Sequence, residues 1–145
     1  YGIDNVGQNI KITSKDLILP FELYAPIIQI RNVNINEPIS YNGIDITKRT
    51  SKLATIGIGY ADGWLRLLKP NSYFWLYQNK CNILGNITMD SFVLDITDIK
   101  EKTFKEGDYF CLLDNSNISN ILINSNIISY ELLTLFGSRL KRDYN

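Results

Sequence analysis

The chain has 145 residues, 45% of them hydrophobic, 21% charged and 12% aromatic, a composition that fits one globular domain and excludes a disordered segment. Fifteen basic and fifteen acidic residues cancel, no Lys/Arg run forms a stripe and no apolar run reaches membrane-span length, so neither nucleic acid nor a membrane is an expected partner. Histidine is absent, which removes His-based triads, most zinc sites and the usual base at neutral pH, and no metal site is expected.

Residues 5–20 are polar and turn-rich, end at Pro20 and read as a linker; no signal peptide is recognisable. Leu23–Val33 reads as the first long strand, with Ile28, Ile30 and Val33 on or near its apolar face. A turn at Asn34-Ile35-Asn36-Glu37-Pro38 follows, because Pro38 cannot donate to a ladder and restricts Glu37. A short strand then carries Ile39 and Tyr41, and Asn42-Gly43 is a strong turn signal. Residues 48–52 form a basic, polar loop, and 52–58 read as a buried β-branched strand.

That strand runs into Gly59-Tyr60-Ala61-Asp62-Gly63, a glycine-bracketed turn whose backbone can bend sharply and approach another surface closely. Taken by itself, the run also fits an ordinary hairpin with a surface Tyr and an Asp bonded within the turn. Beyond it, 73–77 is an aromatic strand, suited to core packing, since no basic charge surrounds it as a base-stacking platform would need. Asn79-Lys80 reads as the turn into a strand at 81–84, and 91–96 alternates Phe92, Leu94 and Ile96 against Val93 and Asp95. Gly107-Asp108 opens a further strand, Tyr109–Leu113. One short helix is expected over 120–127 and a second helical turn over 131–136, stopped by Gly137. Cys81 and Cys111, thirty positions apart (111 − 81), fall in apolar strand-like runs and read as buried thiols. Many short strands with little helix predict a mainly β domain, an antiparallel β-barrel or sandwich with one or two short helices.

Gly59-Tyr60-Ala61-Asp62-Gly63 followed by Arg66 resembles the signature of the alanine racemase C-terminal domain. The similarity continues through Ile39-Ser40-Tyr41-Asn42-Gly43, Gly85-Asn86-Ile87-Thr88-Met89-Asp90, Gly107-Asp108, Ile128-Ser129-Tyr130-Glu131-Leu132-Leu133, and Arg139, Arg142 and Tyr144. Tyr41 precedes Tyr60 by nineteen residues (60 − 41), the family's interval. The resemblance implies that residues 1–20 are a linker leaving an N-terminal (β/α)₈ barrel, with Tyr1-Gly2-Ile3 at the boundary, and that 21–145 are the β-domain.

It further implies an isomerase that interconverts L-alanine and D-alanine, supplying D-alanine for peptidoglycan, by two-base proton transfer with pyridoxal 5'-phosphate as electron sink. In such enzymes one base is the cofactor lysine on the barrel. Tyr41 matches the other, the base for L-alanine. Met89 matches the residue whose backbone N–H contacts the substrate carboxylate, Tyr60 and Arg66 match residues lining the substrate entrance, and Tyr130 matches the tyrosine that bonds the cofactor phosphate. Asp62 and Asp90 read as structural, fixing turns. A cytoplasmic homodimer sharing its active sites between subunits is implied, and the fragment by itself is expected to be inactive.

Two positions depart from the pattern. Asn86 stands where an arginine is usual, and Asn42 replaces a glycine, although Asn tolerates a left-handed backbone better than most residues. A broad-specificity or serine racemase of the same fold, a related decarboxylase and a free-standing, non-catalytic β-barrel binding module are the alternatives. The spacing of the glycine-bracketed run to Tyr41 argues against the decarboxylase but does not separate alanine from serine.

Overall fold

The structure is a computed structural model that describes residues 19–40, 43, 45–68, 73–76, 78–118, 121–122 and 127–144. The linker expected over 1–20 falls almost wholly outside the described residues, as do Tyr41 and Asn42.

Eight strands are described: β1 (Leu23–Val33), β2 (Pro38–Ile39), β3 (Asp45–Ile46), β4 (Ser51–Ile56), β5 (Tyr73–Leu76), β6 (Asn79–Leu84), β7 (Phe92–Asp95) and β8 (Tyr109–Leu113). Six form one antiparallel sheet in the order β5-β6-β7-β4-β1-β8, while β2 and β3 pair separately. Between the outer strands of the six, Phe74 of β5 meets Phe110 of β8 edge to face at 5.4 Å, so side chains draw the sheet into a nearly closed barrel. This is the mainly β architecture that short, closely spaced strands predict.

The inner layer follows from the alternation. Phe92, Leu94 and Ile96 are buried while Val93 and Asp95 are only half so. Phe74, Phe92 and Trp64 stack at centroid separations of 6.1 to 6.2 Å. Burying each of these rings stabilises the fold by about 1.5–3 kcal/mol. The aromatic strand therefore does pack the core, through Phe74, while Trp75 faces outward at 54% exposure.

Four local expectations are corrected. Ile28 is exposed, because a bulge between Ile27 and Gln29 shifts the register of β1 against β4 and changes which side chains face inward. Asn79-Lys80 is ladder and not turn: Leu76 pairs with Asn79 and Trp75 with Lys80, and Gln78 adopts the positive φ of the bend. Cys81 is buried as expected, but Cys111 is half-buried; both are free thiols. Ser51, assigned to the basic loop, is buried in the first position of β4.

Helical hydrogen bonding after β8 starts earlier than expected. Asp114 accepts from the N–H groups of Ser116 and Asn117 through its side chain and from that of Ile118 through its carbonyl, the geometry of an N-cap. The rest of the 120–127 expectation lies largely outside the described residues. The second helix, α1, runs Ser129–Leu135, close to the expected span.

Candidate functional site

The site is built where β4 leaves the sheet. Gly57 donates to the Pro26 carbonyl at 2.8 Å, Ile58 is buried, and the chain then tightens into a 3₁₀ turn, Tyr60–Asp62, between Gly59 and Gly63. Gly59 has an extended backbone, so conformation does not demand glycine there. Space does, since an added Cβ would fall within the carbonyl groups of Thr88 and Met89. Gly63 meets both demands: its φ is +99°, and a Cβ would come within 2.5 Å of the Leu135 carbonyl oxygen at the end of α1. The turn is thus wedged between the Thr88-Met89 loop and α1, the close approach that its two glycines predict.

Backbone hydrogen bonds lock this contact. Tyr60 N–H donates to Thr88 O and Ala61 N–H to Met89 O, both at 3.0 Å. Thr88 and Ser91 close the other loop, with Thr88 N–H on Ser91 O at 2.8 Å and Ser91 N–H on Thr88 Oγ1 at 3.1 Å. In a planar trans peptide the N–H points opposite to the C=O. Because the Thr88 and Met89 carbonyls are both turned toward the 60–61 backbone, the N–H groups of Met89 and Asp90 are turned away from it. Among the described residues neither amide has an acceptor. Two successive outward N–H groups form a small concavity suited to an anion.

Charges bind the same two loops. Asp62, buried, accepts from Gly59 N–H at 2.9 Å through Oδ2, and its Oδ1 lies 3.0 Å from Arg139 Nε. The same guanidinium reaches Asp90 Oδ1 through Nη2 at 2.7 Å. The hydrogen bond it donates to Asp90 and then the charge of Asp62 hold the pKa of Arg139 above its ordinary value. Asp62 fixes its turn as expected, through the Gly59 N–H, whereas Asp90 acts through a cation.

The segment leading to Tyr41 lies against the same region. Ile39 is fully buried, Ser40 adopts a φ of +66°, and Ser40 Oγ donates to Asn86 O at 3.4 Å. Gly85 has a φ of +69° and carries no Cβ where Ser40 sits, while its N–H donates to Asp45 Oδ2 at 2.6 Å. Both ends of the β2–β3 connection are thus pinned to Gly85-Asn86, which leads to Met89 three residues on.

The structure brings Tyr60 and Met89 together directly, both about half exposed. Arg66 opens a second 3₁₀ turn, Arg66–Leu68; it is exposed and forms no ion pair among the described residues. Tyr130 stands in the first turn of α1, 43% exposed, with the far end of that helix packed on Gly63. Sequence reasoning assigned no role to Arg139, Ser40 or Asp45. Their partners lie 40 to 77 positions away (85 − 45; 139 − 62), beyond any local periodicity.

A model of the family described as "Alanine racemase, C-terminal domain" matches residues 21–144. The chain belongs to that family. Among curated relatives, this racemase-family domain is 30% identical over 142 residues to the alanine racemase of Brucella ovis, covering 97% of the chain and 36% of that protein. It is 34% identical over 148 residues to the alanine racemase of Rickettsia rickettsii, covering 99% and 38%. The chain thus spans little more than a third of the length of these relatives. Among solved structures, the Bartonella henselae alanine racemase with covalently bound pyridoxal phosphate superposes with a TM-score of 0.78 at 36% identity, covering 86% of this chain and 34% of that one. The Clostridium difficile 630 alanine racemase in complex with cycloserine gives 0.80 at 26% identity, covering 94% and 36%.

Proposed function

We propose that this chain is the C-terminal domain of a pyridoxal-phosphate-dependent alanine racemase that interconverts L- and D-alanine. The observation that carries the reading is the outward Met89 amide, held by a glycine-bracketed turn, in a chain whose family match spans 21–144. Residues 1–20 serve as the linker from an N-terminal (β/α)₈ barrel, and 21–145 as the β-domain.

The donors fit an anionic cofactor and substrate. The Tyr130 phenol is a neutral hydrogen-bond donor, half exposed, and bonds the cofactor phosphate; the Met89 N–H receives the substrate carboxylate. Pyridoxal phosphate, when bound, supplies the electron sink that delocalises the charge left at Cα. Tyr60 and Arg66 line the entrance, where the exposed guanidinium attracts a carboxylate. Tyr41 takes the Cα proton of L-alanine through its phenolate oxygen and returns one from the same face. Its ordinary pKa of about 10 requires a cationic neighbour. With no histidine in this chain, that neighbour comes from the barrel, which also carries the lysine that serves the opposite face. In a homodimer, Tyr41 would face the site formed with the barrel of the second subunit.

The test is Tyr41→Phe in the full-length enzyme, assayed by solvent deuterium exchange into each enantiomer. Loss of a positioned acid–base group costs about 10²- to 10⁴-fold. Exchange into L-alanine falls by that order while exchange into D-alanine is largely spared. Equal losses from both enantiomers defeat the assignment.

A further inference from the structure

Among the described residues, Arg139 is the one group that touches both loops of the site through charge. Its guanidinium spans Asp62 of the glycine-bracketed turn and Asp90, the residue after Met89. An aspartate beside two outward amide N–H groups is an odd neighbour for an anion receptor, because its own carboxylate repels what those amides attract. Asp90 is 55% exposed in its side chain, so its charge is not suppressed by burial. The counter-charge is Arg139, hydrogen-bonded to it at 2.7 Å.

We propose that Arg139 is a positioning residue for the substrate carboxylate: held in place by Asp62, it neutralises Asp90 and so leaves the Met89 amide, which the backbone turns outward, as an uncontested anion receptor. This rests on the racemase reading given above. The geometry explains why an arginine is used. Nε faces one carboxylate and Nη2 the other, so two edges of a single planar fork are engaged, which a lysine ammonium does not reproduce. It also distinguishes Arg139 from Arg66, which is exposed and forms no ion pair among the described residues.

The experiment uses the full-length holoenzyme with Arg139→Gln, Asp90→Asn, the double variant and Arg139→Lys. Two quantities are read: the KM and kcat for L-alanine, and the dissociation constant of propionate, a carboxylate of the same length lacking the amine, by calorimetry. Arg139→Gln leaves Asp90 uncompensated, raising KM and weakening propionate about tenfold at low salt while kcat changes much less. Asp90→Asn alone lowers KM. The double variant recovers most of what Arg139→Gln loses, and Arg139→Lys falls between. An unchanged KM in Arg139→Gln, a loss confined to kcat, or a double variant as impaired as the single one overturns the proposal; the last outcome reduces Arg139 to scaffold. Should Arg139→Gln fail to fold, a raised KM in Asp90→Asn overturns it equally. A wild-type enzyme that neither racemises alanine nor binds propionate fails the racemase reading first, before any variant is compared.

Discussion

Four glycines of this fold separate two reasons for using glycine, and substituting each by alanine isolates them. A Cβ at Gly59 collides with the Thr88 and Met89 carbonyls although its backbone is extended, so only space is at stake. Gly107 has open space but a φ of +91°, so only conformation is at stake. Gly63 carries both constraints, and Gly137 carries neither. Gly59→Ala must push the loops apart, which breaks the two 3.0 Å backbone bonds at about 1 kcal/mol each and adds about 1–3 kcal/mol of overpacking. Against this stands about 0.4–1 kcal/mol gained by stiffening the unfolded chain, leaving a net loss of about 2–4.6 kcal/mol. Gly107→Ala sets a left-handed cost of about 1–2 kcal/mol against the same gain and loses about 1 kcal/mol. Gly63→Ala loses as much as Gly59→Ala, while Gly137→Ala is neutral or slightly stabilising. Urea titration of the chain reads the series; with a slope of roughly 2 kcal/mol per molar, Gly59→Ala lowers the midpoint by about 1–2.3 M. If Gly59→Ala costs no more than Gly107→Ala, the wedge between the two loops is not what requires glycine, and the site geometry argued from it fails.

Three further outcomes are expected. The 145-residue chain alone, mixed with pyridoxal phosphate, gives no stoichiometric imine that survives dialysis and no alanine racemisation; racemisation by the purified chain refutes the division of roles. In full-length protein, a subunit lacking the cofactor lysine mixed equally with one carrying Tyr41→Phe regains about one quarter of wild-type activity, because half of randomly reassorted dimers are mixed and each holds one intact site; no recovery despite confirmed exchange places Tyr41 in its own subunit's site. Burial, followed by the charges of Asp95 and Asp98, pushes the Cys81 thiol from 9.0 up to about 12. The folded state therefore holds its proton where the unfolded state releases it, so this contribution to stability is full below pH 9 and is lost as pH rises through about 12. Cys81→Ala flattens the alkaline fall in unfolding free energy, and an unchanged slope excludes the thiol as its source.

Much of the architecture was legible because it rests on short-range alternation. Strand β7 declares itself through Phe92, Leu94 and Ile96, and β8 through the glycine and aspartate before it. The glycine-bracketed turn was legible as a close approach, but its partner was not. Thr88 and Met89 lie beyond a hairpin, and no residue in the turn encodes which loop it will meet. The bulge that turns Ile28 outward was hidden for a different reason: Pro26-Ile27-Ile28 is uniformly apolar, so pattern alone cannot show where the phase slips. Arg139 was invisible as a tether because its two carboxylates arrive from separate loops, and only the fold sets them one guanidinium apart.

The position of β1 in the sheet has a consequence for how the chain comes together. Its inner neighbour begins close by, Val33 pairing with Ser51, eighteen residues on (51 − 33), but its outer neighbour is distant, Leu23 pairing with Leu113, ninety residues on (113 − 23). Closing the longer loop costs about 1.4 kcal/mol more in chain entropy than closing the shorter. At about 5–20 residues per second, β8 leaves the ribosome some 5–18 seconds after the start of β1. Through that interval the outer edge of β1 has no partner and is a template for pairing with another nascent chain. Pro26, which pairs with Tyr109 in the finished sheet and has no N–H to donate, interrupts that edge. A proline on the outer edge of β1 thus guards it during synthesis, until β8 arrives to complete the wall.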